Sequence, residues 1–97
     1  MAVRKTKDFW ILIDGESGDI TSEPVFLNTP NDKYISVGGN SLTSVVIEIQ
    51  DDNGNWNPVF DGTFTEPEAR LFKGALRSYP MRAVMIGGNE VTMQVSK

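Results

Sequence analysis

The sequence contains neither cysteine nor histidine. That excludes disulfides, thiolate metal sites and cysteine nucleophiles, together with the commonest zinc ligand and the usual general base near neutral pH. Most hydrolase chemistry goes with them, so a binding or structural role is expected rather than an enzyme, with no cofactor and no metal. Long apolar runs are also missing. None approaches the roughly 20 residues that span a bilayer, so no membrane partner is expected. The start from Met1 to Lys7 lacks the apolar stretch of a secretory signal, so synthesis in a cytoplasm is expected. Positive charge is scarce as well: nine basic residues face thirteen acids, for a net charge of −4. This argues against direct nucleic-acid binding, because phosphate contacts need clustered cations.

What remains is 97 residues, 39% apolar and 23% charged, in the range of one small domain. A chain of this length buries only about 60 to 65% of its unfolded surface, so support from neighbouring molecules is expected. The charge is laid out in blocks. Arg4, Lys5 and Lys7 open the chain, residues 8–68 carry twelve acids against Lys33 alone, and residues 70–97 carry five bases against Glu90. Such blocks suit head-to-tail attraction between copies or docking on a partner of opposite potential. A solvated surface on which the signs mix after folding accounts for the same counts.

Short apolar and β-branched runs separated by Gly, Asn, Asp and Pro clusters, with no sustained helical period, predict an all-β fold. Phe9 to Ile13 is predicted as a strand closed by Asp14-Gly15. Pro24 to Leu27 follows as a strand that sits at an edge or begins at that proline, since proline cannot donate to a ladder, and residues 33–37 form a third. In residues 41–50, Val45, Ile47 and Ile49 alternate with Val46, Glu48 and Gln50, which assigns the first set to the core. Asp51-Asp52-Asn53-Gly54-Asn55 predicts a hairpin turn leading to a partner strand from Trp56 to Phe60, and Asp61-Gly62 a second turn. Thr65 with Glu68, and Pro67 in the first turn, match a capping box, which predicts one short helix over residues 66–73 stopped by Gly74. Residues 81–86 and 90–95, joined by Gly87-Gly88-Asn89, predict a C-terminal hairpin with Val91, Met93 and Val95 on one face. Together these give a compact antiparallel β-sandwich, or a partly open barrel, of about seven short strands over residues 8–97, preceded by a polar basic arm of residues 1–7. That arm is expected to be mobile alone and to order on a partner.

Few residues invite a chemical role. Asp51, Asp52 and Asp61 lie in turn sequence, where aspartate is favoured by local hydrogen bonding, rather than in an acid–base pair. Asp51, Asn53 and Asn55 alternate like the first ligands of a calcium loop, but the glycine and distal glutamate of that motif are missing. Gly38-Gly39 and Gly87-Gly88 lack the lysine and helix of a phosphate loop. Trp10 and Trp56, with Tyr34 and Tyr79, offer the flat rings of a sugar platform. A core role is the preferred reading of Trp56, which should pack across its strand pair, and Trp10 is the better interface candidate.

The run Asp51-Asp52-Asn53-Gly54-Asn55-Trp56-Asn57-Pro58-Val59, preceded by a strand over residues 44–50, is followed later by Met81-Arg82-Ala83-Val84-Met85-Ile86-Gly87-Gly88-Asn89-Glu90-Val91-Thr92-Met93-Gln94-Val95. This pattern resembles the small all-β virion accessory proteins of tailed bacteriophages. The resemblance spans residues 37–95. It implies a non-enzymatic virion structural protein that decorates or cements a capsid, with a tail or head-fibre adaptor, or a carbohydrate-binding sandwich module, as the alternatives. It implies a virion location, the major capsid protein or other virion proteins as partners, and a homo-oligomer with the trimer favoured. A short basic arm in an acid-rich domain fits docking on a shell, where many weak contacts act together. The expected partner-binding residues are Arg4, Lys5, Lys7, Phe9, Trp10, Arg70, Lys73 and Arg77.

Overall fold

Alternating apolar residues place most of the chain in extended segments. The computed structural model, which describes residues 3–27, 31–73 and 79–97, contains eight strands and no helix among the described residues. In chain order these are β1 (Arg4–Lys5), β2 (Phe9–Thr21), β3 (Val25–Phe26), β4 (Lys33–Gly38), β5 (Ser44–Gln50), β6 (Trp56–Phe64), β7 (Glu68–Phe72) and β8 (Pro80–Ser96). All pairings are antiparallel and belong to one sheet.

The sheet is organised around β8. One of its edges carries β2 from Phe9↔Ser96 to Thr21↔Val84, and then β3 through Val25↔Met81. The other edge is shared: β5 pairs with the first half of β8, from Ile49↔Met81 to Ser44↔Ile86, and β4 with the second half, from Gly38↔Thr92 to Ile35↔Val95. β6 extends the sheet beyond β5, and β7 extends it beyond β4. Met81, Ala83, Met85, Val91, Met93 and Val95 of β8 are buried, and they join Leu12, Ile13, Ile35, Val37, Val45, Ile47 and Phe64 in one core cluster. Each of these side chains other than that of Ala83 contributes about 1.5 to 3 kcal/mol when fully buried. Both halves of β8, Met81 to Met85 and Val91 to Val95, supply that one cluster.

The continuity of β8 corrects the predicted C-terminal hairpin. Residues 81–95 do not reverse at Gly87-Gly88-Asn89; they run on as one strand with a bend there. The backbone there is nonetheless unusual: Gly87 holds a positive φ of 66°, and so does Glu90 at 52°, a residue predicted to lie in the strand. A Cβ on Gly88 would lie 2.3 Å from the Met85 sulfur and 2.8 Å from Val91 Cγ2, so any larger residue there must displace both side chains. Side chains of β2 and its neighbours replace the lost ladder bonds. Asp19 Oδ1 accepts from the Gly87 N–H at 3.0 Å, Ser17 Oγ accepts from the Glu90 N–H at 3.0 Å, and Thr92 Oγ1 accepts from the Gly15 N–H at 3.1 Å. A hairpin would have paired the two halves with each other, whereas β2 pairs with both.

β2 likewise does not end at Asp14-Gly15 but continues to Thr21 through several register shifts. The first of these inserts Leu12 between Ile11↔Gln94 and Ile13↔Met93. It explains why three consecutive residues, Ile11, Leu12 and Ile13, are buried where strict alternation would expose one.

The helix predicted over residues 66–73 is not formed. Thr65 to Pro67 bend, and Glu68–Phe72 is strand β7, paired with β4 from Val37↔Glu68 to Lys33↔Phe72. So short a segment gains little from helix propagation after costly nucleation. As a strand it uses the free edge of β4 and alternates its exposure, with Phe72 buried and Leu71 exposed. Gly74, the predicted stop, lies outside the described residues.

The turn predicted at Asp61-Gly62 is instead an irregularity inside β6. Pro58 pairs with Glu48 and Thr63 with Val46, so Val59, Phe60, Asp61 and Gly62 together oppose Ile47 alone. The other assignments stand. β3 begins just after Pro24 and, among the described residues, pairs with β8 alone, and the β5–β6 hairpin turns at residues 51–55. Val45 and Ile47 are fully buried, with Ile49 packed against the core.

Candidate functional site

The β1–β2 corner gathers most of the residues singled out from the sequence. Arg4 and Lys5 pair with Ile11 and Trp10, so part of the basic arm belongs to the sheet as its edge strand. Thr6 sets the turn: its N–H donates to the Phe9 carbonyl at 2.8 Å, and its hydroxyl accepts from the Phe9 N–H at 3.0 Å. Lys97 ties the end of β8 into the same corner. Its N–H donates to the Asp8 carbonyl at 3.0 Å, and its ammonium donates to the carbonyls of Thr6 and Lys7. The half-buried Trp10 packs on the core and carries two cations near its ring, Lys5 Nζ at 5.0 Å and Lys97 Nζ at 5.8 Å from the centroid. Arg4 pairs with Asp14 at 2.9 Å, Lys7 is exposed, and Phe9 is half-buried. Lys97 was missed by sequence reasoning, because a C-terminal hairpin does not bring it beside residues 6–8; only the register Phe9↔Ser96 does.

The remaining predicted residues lie elsewhere. Along the strand order β1-β2-β8-β4-β7, Arg70 and Lys73 belong to the edge opposite β1. Lys73 is exposed just after β7, and Arg77 lies outside the described residues. Arg70 is taken up inside the molecule. One guanidinium nitrogen donates to the carbonyls of Asp61 at 2.7 Å and Thr63 at 2.8 Å, the other donates to the Glu68 carboxylate, and the group sits 4.3 Å over the ring of the buried Phe64. The hydrogen bond to Glu68, aided by the nearby charges of Glu68, Asp61 and Glu66, raises its pKa above the ordinary arginine value despite the opposing effect of burial. Each of the three described arginines pairs with a carboxylate: Arg4 with Asp14, Arg70 with Glu68 and Asp61, and Arg82 with Glu48 at 2.8 Å. The charge blocks of the sequence therefore mix partly on the folded surface.

Trp56 departs from its predicted core role. It is half-buried opposite Gln50, on the outer face of β5 and β6, with the Arg82 guanidinium 4.3 Å over its ring. A sugar would have to compete with that cation for one ring face. Exposed aromatic and apolar surface occurs instead at Tyr34 and Leu71, a cross-strand pair on the outer face of β4 and β7 that is 55% and 43% exposed.

The β6 excursion presents a side chain the sequence did not flag. Phe60 is 95% exposed, next to Asp61 at a positive φ of 61°. Gly62 makes the excursion tight, since a Cβ there would lie 2.9 Å from the Val59 carbonyl oxygen. Arg70 fixes its far side through the Asp61 and Thr63 carbonyls. The only sequence signal was Asp61-Gly62, which marks irregular backbone but not the exposure of the residue before it.

The Asp51 carboxylate is used by the β5–β6 turn. Its Oδ1 accepts from the N–H groups of Asn53 and Asn55, each at 2.9 Å, and its Oδ2 from the Asn57 amide at 3.2 Å. These bonds, the one from Asn55 first, hold its pKa below the ordinary value against the opposing effect of desolvation. Among the described residues no group of carboxylates is placed to hold a metal ion. Lys33 is buried with its ammonium 2.8 Å from Asn31 Oδ1, and burial lowers its pKa. No known family, curated protein or solved structure matches the chain.

Proposed function

We propose that the chain is a non-enzymatic structural protein of a tailed-phage virion, a sandwich-type piece that decorates or cements the capsid through its β1–β2 corner. The observation that carries this reading is the convergence of Arg4, Lys5, Lys7, Phe9 and Trp10, joined by Lys97, around an edge strand only two residues long. An edge strand offers unpaired backbone groups to another chain, and exposed cations beside aromatic rings suit an acidic, partly apolar partner surface. On a lattice such a corner can be weak in each copy and effective in sum. A homo-oligomer, with the trimer favoured, and a place on the head or at a head-fibre or tail joint are finer parts of the same proposal.

Mass spectrometry of purified particles, propagated in cells that express the chain, tests it. The expected result is stoichiometric incorporation that falls when residues 1–7 are deleted while the truncated chain stays folded. Full occupancy after the deletion refutes docking through the corner, and a folded chain left entirely in the lysate refutes the virion role.

A further inference from the structure

Phe60 is the least buried large apolar residue among the described ones, and its position is built rather than loose. Four residues oppose one at the β6 excursion, the left-handed Asp61 backbone is held by Arg70, and Gly62 closes against Val59. A non-glycine residue in that conformation costs free energy that the surroundings must offset, a pattern concentrated at recognition sites. The surroundings are acidic: Asp61, Glu66 and Glu68 outnumber Arg70. At the β1–β2 corner the balance is reversed, with Arg4, Lys5, Lys7 and Lys97 outnumbering Asp8 and Asp14. The two sites sit on different edges of the sheet, β6 beyond β5 and β1 beyond β2. At 95% exposure, Phe60 does not rest on its own corner.

We propose that Phe60 of one copy docks on the Lys5, Trp10 and Lys97 corner of a second copy. Its ring packs beside Phe9 and Trp10, and the acids around it face the corner's ammonium groups. Because the two surfaces differ, the contact is heterologous, and its repetition makes a closed ring or a filament rather than a two-fold dimer. The inference rests on the reading of the chain as one piece of an assembly and names one of its partners. It is measured on the purified chain alone, so its failure leaves particle incorporation, the test of that reading, undisturbed.

Sedimentation velocity from micromolar to millimolar protein, at low and high salt, is the experiment. The wild-type chain is expected to self-associate, less so at high salt. Phe60→Ser, whose melting curve should match wild type where both are monomeric because the ring buries nothing within one copy, is expected to weaken association by roughly 30-fold, the effect of losing an aromatic anchor. Lys5→Glu is expected to weaken it as well. Mixing the two variants should restore a dimer and nothing larger, since each retains one intact half of the contact. A wild-type chain that stays monomeric throughout at low salt, a Phe60→Ser chain that associates like wild type, or a mixture no better than its components overturns the proposal.

Discussion

Replacing Arg70 by alanine separates a docking role from a structural one. The side chain bonds two backbone carbonyls of β6 and covers Phe64, an otherwise fully buried ring. Each carbonyl bond is worth about 0.5 to 1.5 kcal/mol net, and a guanidinium over an aromatic face near the surface about 0.5 to 1 kcal/mol. The ion pairs with Glu68 and Asp61 add little because solvent screens them. Arg70→Ala should therefore cost about 2 kcal/mol, which for a domain of this size lowers Tm by roughly 10 to 15 °C. Circular dichroism melts and urea titrations measure this, with the midpoint falling while the denaturant slope is unchanged. Arg70→Lys retains the charge but not the planar fork, and should recover less than half of the loss. A change in Tm within about 2 °C, the size of an ordinary surface substitution, refutes the bracket. If particle docking then failed while stability held, Arg70 would be a contact residue after all.

Three further outcomes test the architecture. Gly88→Ala forces a methyl group against Met85 and Val91 and should cost about 1 to 3 kcal/mol by denaturant titration; a neutral effect would mean that the bend is not tight. Ile47→Ala, at a fully buried site opposite the β6 excursion, should cost about 2 to 5 kcal/mol in the same assay, and a loss below 1 would place Ile47 outside the core. The third concerns pH. Asp51 has a depressed folded-state pKa, so its ionised form stabilises the turn above the unfolded aspartate value of about 3.9, and that contribution is lost as the pH falls through the folded value. Asp51→Asn, whose side-chain oxygen can still accept the turn bonds without titrating, should lose less stability than wild type in melts recorded from pH 5 down to about pH 2; parallel acid limbs for the two proteins would show that Asp51 does not titrate in the turn.

Some of this fold was legible in the chain, and the successes share a cause. Val45 and Ile47, like Val91, Met93 and Val95, are buried because a period of two is a property of any strand, whichever partner it finds. The turn at residues 51–55 is closed by Asp51 with its own near neighbours, so its signal and its effect are equally local. The failures share a cause too. Gly87-Gly88-Asn89 and Asp61-Gly62 advertise unusual backbone, and a hairpin turn, a bend within a strand and a bulge all satisfy that demand. Residues 66–73 could cap a helix or fill a sheet edge, and the open edge of β4 decided. Phe60 carried no signal at all, because an exposed phenylalanine and a buried one are the same letter in the sequence.

The sequence by itself determined that the chain is all-β, which alternate residues go inward and where the backbone must take special conformations, since these follow from side-chain periodicity and local sterics. Only the tertiary structure decided where the strands reverse and where they merely bend. Sheet bonds join residues far apart in the chain, so whether β8 turned back or ran on depended on β2, some 70 residues earlier, offering a partner to both of its halves. The same pairing brought Lys97 to the basic corner, and the register of β6 against β5 set Phe60 outside the sheet.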